Sequence, residues 1–114
     1  MNNNTNLSKS YDEGENKKEV APKQKFDELV EYYNNKYKKI VEITGDWSIR
    51  NNTGVIRVCN YKNKNRDIHT VHRTIDVEYI DGDFKFYNWI EDEVDLEREI
   101  GVGIKVARSV NGDD

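Results

Sequence analysis

Between residues 23 and 45, "KQKFDELVEYYNNKYKKIVEITG", apolar side chains fall at Phe26, Leu29, Val30, Tyr33, Tyr37, Ile40 and Val41. Steps of three and four broken by single steps trace one stripe of an α-helix. Asp27, Glu28 and Glu31 lie near the start and Lys36, Lys38 and Lys39 toward the end, as the helix dipole favours. Pro22 suits a first helical position and Gly45 a stop. Upstream, residues 1–22 carry only Leu7, Tyr11, Val20 and Ala21 as clearly apolar side chains after the initiator Met. So little apolar surface does not offset the entropy of ordering a chain, and the expectation is a disordered arm.

The period then shortens to two. "DWSIRNNTGVIRVCNY" splits at Asn-Asn-Thr-Gly, a turn signal between strands. "KNKNRD" is a polar loop, and "IHTVHRTIDVEYI" is a long strand. Its odd face carries Val71, Ile75, Val77 and Tyr79; its even face carries Thr70, His72, Thr74, Asp76 and Glu78. One face is predicted to be core and the other solvated. Asp-Gly-Asp at 81–83 is a tight turn, followed by a short strand "FKFY". "NWIEDEVDLEREIG" predicts a second, acidic helix, with Asn88 as N-cap and Glu91 three residues on. Gly101 or Gly103 would end it, "IKVARSV" would form a last edge strand or loose end, and residues 111–114 would be mobile. The expected fold class is α+β: a long N-terminal helix, a three- to four-stranded antiparallel meander and a second helix, with both helices on one face. One domain over 23–110 follows from the length of 114 residues.

Composition narrows function mainly by exclusion. Net charge is −4, which disfavours non-specific binding of duplex by the whole molecule. No apolar run approaches a membrane span, and no Gly-rich phosphate loop or other cofactor motif occurs. A single cysteine, Cys59, rules out an intramolecular disulfide; with no signal peptide apparent, the expected location is a bacterial cytoplasm. His69 and His72 are three apart, which on a strand points them to opposite faces and not to one metal. Cys59 reads as a half-buried structural thiol. No acid/base or nucleophile set converges, so neither an enzyme nor a small-molecule substrate is expected. Trp47 and Trp89 read as core or core-edge residues, and exposure of either would mark a partner surface.

Charge is partitioned along the chain. Residues 36–73 carry nine Lys/Arg against three Asp/Glu, while residues 76–99 carry two against ten. Internal neutralisation between basic strands and acidic helix is one account. The other is an acidic face that occupies a basic groove, formed by Glu91, Asp92, Asp95, Arg98 and Glu99 along the second helix. A rival reading is a small single-stranded nucleic-acid binder. It would use Arg50, Arg57, Lys62, Lys64, Arg66 and Arg73 as cations, with Tyr61 and Trp47 as stacking groups.

The segments "DWSI", "VIRVCNY", "KNKNRD", "RTIDVEYI" and "FKFYNWIEDEV", spanning roughly residues 46–95, occur in an order that resembles the small anti-CRISPR proteins of Gram-positive phages. That resemblance implies a phage or mobile-element protein that inhibits a type II CRISPR effector nuclease. Its partner would be a host protein, the nuclease or its guide-RNA complex. The arm here is Asn-rich and not Arg-rich, and no functional residue is carried across.

Overall fold

The structure is a computed structural model that describes residues 13–61 and 70–112. The elements are α1 (Glu13–Tyr37), β1 (Val41–Ser48), β2 (Thr53–Asn60), β3 (Val71–Ile80), β4 (Asp83–Tyr87) and α2 (Leu96–Asn111). The strands form one antiparallel meander in chain order. Fold class is therefore α+β, with a four-stranded sheet.

Register assigns the faces. Ile43 pairs with Val58, Gly45 with Ile56, Ile56 with Ile75 and Val77 with Phe86. These residues share the face that both helices cover. Phe26 of α1 and Leu96, Ile100 and Ala107 of α2 join Val41, Ile43, Ile56, Val58, Ile75 and Val77 in one core cluster. The opposite face is polar and carries an ion pair between Arg57 Nη1 and Asp46 Oδ2 at 2.6 Å.

Several sequence expectations move. Gly45 is not a helix stop but lies within β1. A Cβ there would stand 2.8 Å from both Phe26 Cζ and Val30 Cγ2, so its bareness lets α1 lie close on the sheet. α1 ends at Tyr37, and Lys39 turns the chain with a positive φ of 76°. Pro22 sits inside the helix and not at its start, since the backbone is helical from Glu13. Residues 1–12 of the expected arm lie outside the described residues.

The second helix is displaced along the chain. It begins at Leu96, and residues 88–95 are irregular. "IKVARSV" is helical, not a strand, and Gly101 and Gly103 lie inside α2. Gly103 is there for contact: a Cβ would meet Val58 Cβ at 2.9 Å and Arg73 Cβ at 3.0 Å. Asp95 caps the first turn, its Oδ1 accepting from Arg98 N–H at 3.1 Å. Gly112, left-handed at φ 76°, closes the last turn. Asn111, expected in a mobile end, donates to Asn60 Oδ1 at 2.8 Å.

A bulge between Val58 and Cys59 shifts the register with β3. It breaks the predicted alternation, leaving Val71 exposed and His72 half-buried.

Candidate partner-binding surface

Beyond β4 the chain makes a tight turn around one side chain. Asn88 is buried, and its Oδ1 accepts from the N–H groups of Ile90 at 2.8 Å and Glu91 at 2.6 Å. This is the capping geometry expected of Asn88, but it closes a turn and no α-helix follows. The turn thrusts two large apolar side chains outward: Trp89 is 86% exposed and Ile90 63%. Val94 N–H then donates to Phe86 O at 2.8 Å, returning the chain to β4, and Val94 and Leu96 are buried. The segment is thus anchored at both ends, with exposed Glu91, Asp92 and Glu93 between the anchors. Leaving an indole in water forgoes burial worth on the order of 2–3 kcal/mol. Trp89 is therefore not a core or core-edge residue.

The residues expected to form one acidic helical stripe separate into three environments. Glu91 and Asp92 are exposed on the turn, not on a helix, so Glu91 and Asp95 are not helical i,i+4 neighbours. Asp95 is engaged as N-cap. Arg98 is exposed and reaches back to Glu91 Oε1 at 3.2 Å. Glu99 is only 1% exposed and faces the sheet, where Arg73 holds it. It cannot belong to a solvated face, and its placement follows from α2 starting at Leu96.

Part of the charge partition is neutralised internally. Besides Arg73 and Glu99, Lys36 Nζ meets Glu97 Oε2 at 2.6 Å and Lys85 Nζ meets Glu93 Oε2 at 3.5 Å. Tyr37 also donates to Glu97, at 3.0 Å. Hydrogen bonds from Lys36 and Tyr37 hold the Glu97 carboxyl below its ordinary range, and the bond to Glu97 raises Lys36.

The cations expected to grip nucleic acid are not brought together. Arg57 lies on the polar sheet face, paired to Asp46, while Arg73 is on the helix-covered side, paired to Glu99. Arg50 is exposed in the β1–β2 turn. Lys62, Lys64, Arg66 and His69 lie outside the described residues. Trp47 packs on Phe26 with ring centroids 4.8 Å apart, which occupies one of its faces. His72 Nε2 lies 2.6 Å from Asn60 Oδ1, and burial lowers its pKa. Burial pushes the Cys59 thiol up, away from the reactive thiolate. Among the described residues no group of three or more His, Cys, Asp or Glu is placed to hold a metal, and no helix is long and apolar enough to cross a membrane.

Two grooves border these elements. One, of about 330 Å³, runs between α1 and the β1–β2 turn, with Pro22, Trp47 and Ile49 among its walls. The other, of about 280 Å³, is lined by Val71, His72, Arg73, Thr74 and Trp89. Sequence reasoning missed the exposure of Trp89. The available signal was its setting: an apolar pair between a turn-forming Asn and the acidic run "EDEVD".

No protein-family model matches the chain, nor does any curated protein or solved structure.

Proposed function

We propose that this chain is a non-catalytic binding protein that sets Trp89 and Ile90, ringed by Glu91, Asp92 and Glu93, against a basic surface of a host nucleic-acid enzyme and inhibits it. The observation that carries this reading is the indole of Trp89, 86% exposed on a turn anchored at both ends. A pre-set aromatic anchor loses little entropy on binding and gains its contact area when the partner excludes water. The surrounding carboxylates raise the association rate with a cationic groove and keep the chain from binding its own kind.

The resemblance over residues 46–95 gives the finer form: a phage-type inhibitor of a type II CRISPR effector nuclease, acting in the bacterial cytoplasm on the nuclease or its guide-RNA complex. No cofactor, membrane or small-molecule substrate enters this reading. The test is a titration of the protein into a guide-loaded type II effector nuclease from a Gram-positive host, with cleavage of a target duplex and complex formation both measured. The reading expects cleavage to fall to zero near equimolar ratio and a complex that weakens with salt. Undiminished cleavage without a complex would refute the finer form. Tight binding of a labelled oligonucleotide by the protein alone would favour direct nucleic-acid binding instead.

A further inference from the structure

The larger of the two grooves plays no part in the Trp89 turn. It lies by the β1–β2 turn, where Ser48 pairs with Thr53, whereas Trp89 flanks Val71–Thr74 near the other end of β3. Its volume of about 330 Å³ falls at the small end of the range for ligand clefts, so it suits a side chain better than a large molecule.

Two kinds of surface meet in this groove. Pro22, Trp47 and Ile49 supply apolar walls. Trp47 is half-buried against Phe26, and Ile49 is 65% exposed in the turn. The α1 wall is acidic. Lys23, Asp27 and Glu31 stand four residues apart in one helical row, with Gln24 and Glu28 in the next. Lys23 Nζ is held by Asp27 Oδ2 at 2.6 Å, and Gln24 Nε2 donates to Glu28 Oε2 at 3.2 Å. Glu31 has no hydrogen bond or ion pair among the described residues. Arg50 belongs to the same turn but not to the walls. Asp27 thus neutralises the ammonium that lines the groove, and the charges of Glu28 and Glu31 stand uncompensated beside an indole and an exposed isoleucine.

We infer that this groove seats an arginine side chain presented by a partner protein, with the guanidinium at Glu28 and Glu31 and the aliphatic stem along Trp47 and Ile49. Arginine satisfies both surfaces at once. Its planar fork donates in pairs to carboxylates, and as a weakly hydrated cation it is attracted to an indole. Its methylenes cover apolar walls while the charged end stays at the rim. Lysine brings a strongly hydrated point charge without the fork. A purely apolar occupant would take water from two carboxylates and return no hydrogen bond. The seat is separate from the Trp89 turn and does not depend on the inhibitory reading of that turn.

The probe is an acetylated, amidated pentapeptide, Gly-Ala-Arg-Ala-Gly, with twins in which lysine or citrulline replaces the arginine. Citrulline keeps the shape and loses the charge. Each is titrated into the full chain and followed by amide and indole N–H shifts. The inference expects saturable shifts centred on Trp47, Ile49 and Glu31 with the arginine peptide, and binding of both twins weaker by about fivefold or more. Glu28→Gln together with Glu31→Gln, both exposed on α1, should remove the preference for arginine over citrulline. If that variant fails to fold, the three peptides on the unmutated chain still decide. Equal binding of arginine and citrulline, equal binding of arginine and lysine, shifts confined to residues 89–95, or no binding of any peptide overturns the arginine seat. The inhibitory reading is judged separately. An arginine seat in a protein that leaves nuclease cleavage untouched would sink that reading alone, and full inhibition without any arginine preference would sink this inference alone.

Discussion

Arg73 Nε and Nη2 lie 2.7 Å and 2.6 Å from the same oxygen of Glu99, Oε1, joining β3 to the first turns of α2 beneath the sheet. Glu99 is 1% exposed, so its charge needs the pairing that Arg73 supplies, with Arg98 Nη2 at a longer 3.4 Å from its other oxygen. Removing one partner of such a pair costs about 3 kcal/mol or more. Urea unfolding should show Glu99→Ala destabilised by about that amount, while Asp92→Lys stays within about 0.5 kcal/mol of the parent. A Glu99→Ala protein as stable as the parent would show that the pair contributes nothing.

The two glycines inside α2 should respond oppositely to alanine. A Cβ at Gly101 meets nothing within 4 Å, so Gly101→Ala should gain helix propensity, on the order of 0.5–1 kcal/mol. At Gly103 the same Cβ presses on Val58 and Arg73, which must shift. Gly103→Ala should lose more through overpacking, typically about 1–3 kcal/mol, than propensity returns. Thermal midpoints of the two variants should therefore fall on opposite sides of the parent.

His72 and Glu97 make stability fall in acid through different windows. Burial lowers the pKa of His72 from its ordinary value of 6.5, so the unfolded chain binds its proton first. Stability from this group is complete above that value and declines as pH drops below it. Glu97 is depressed by Lys36 and Tyr37, so its contribution is complete above 4.5 and is lost as pH falls through its lower folded pKa. Denaturation curves at pH 7.5, 5.5 and 3.5 should show two successive losses, with His72→Gln removing the first and Glu97→Gln reducing the second. A parent equally stable at pH 7.5 and 5.5 would contradict the first assignment.

The parts of the fold that strict periodicity governs were legible in the sequence. Ile75 and Val77 alternate toward the core as the pattern requires, and the meander follows from turns at Asn51–Asn52 and Asp81–Gly82. What misled was punctuation. Gly45, and Gly101 or Gly103, carry the pattern of helix stops, whereas Gly45 and Gly103 are bare so that another element can approach. Asn88 bears a true capping signature, but its turn does not propagate, because Val94 is drawn back to Phe86. Shifting the helix start from Asn88 to Leu96 moved Glu99 from the expected solvated stripe to the interior. It also leaves Trp89 outside the helix, 86% exposed. The positions of Glu91 and Asp92 on an exposed acidic surface did not depend on that boundary.

Trp89→Ala should leave the thermal midpoint nearly unchanged, because an indole 86% exposed has little packing to lose. A drop of many degrees would mean that the side chain packs in solution and is not held out for a partner.

The central claim is that the turn at Trp89 and its carboxylates make the inhibitory contact. Inhibition of a guide-loaded type II effector nuclease by the parent protein, by Trp89→Ala and by the Glu91→Lys, Asp92→Lys double variant tests it most directly. Asp95 and Glu99 stay untouched, since one caps α2 and the other neutralises Arg73. The account predicts full inhibition by the parent, with at least tenfold more of either folded variant needed for the same effect. Variants that inhibit as well as the parent, or a parent that leaves cleavage intact, would contradict it.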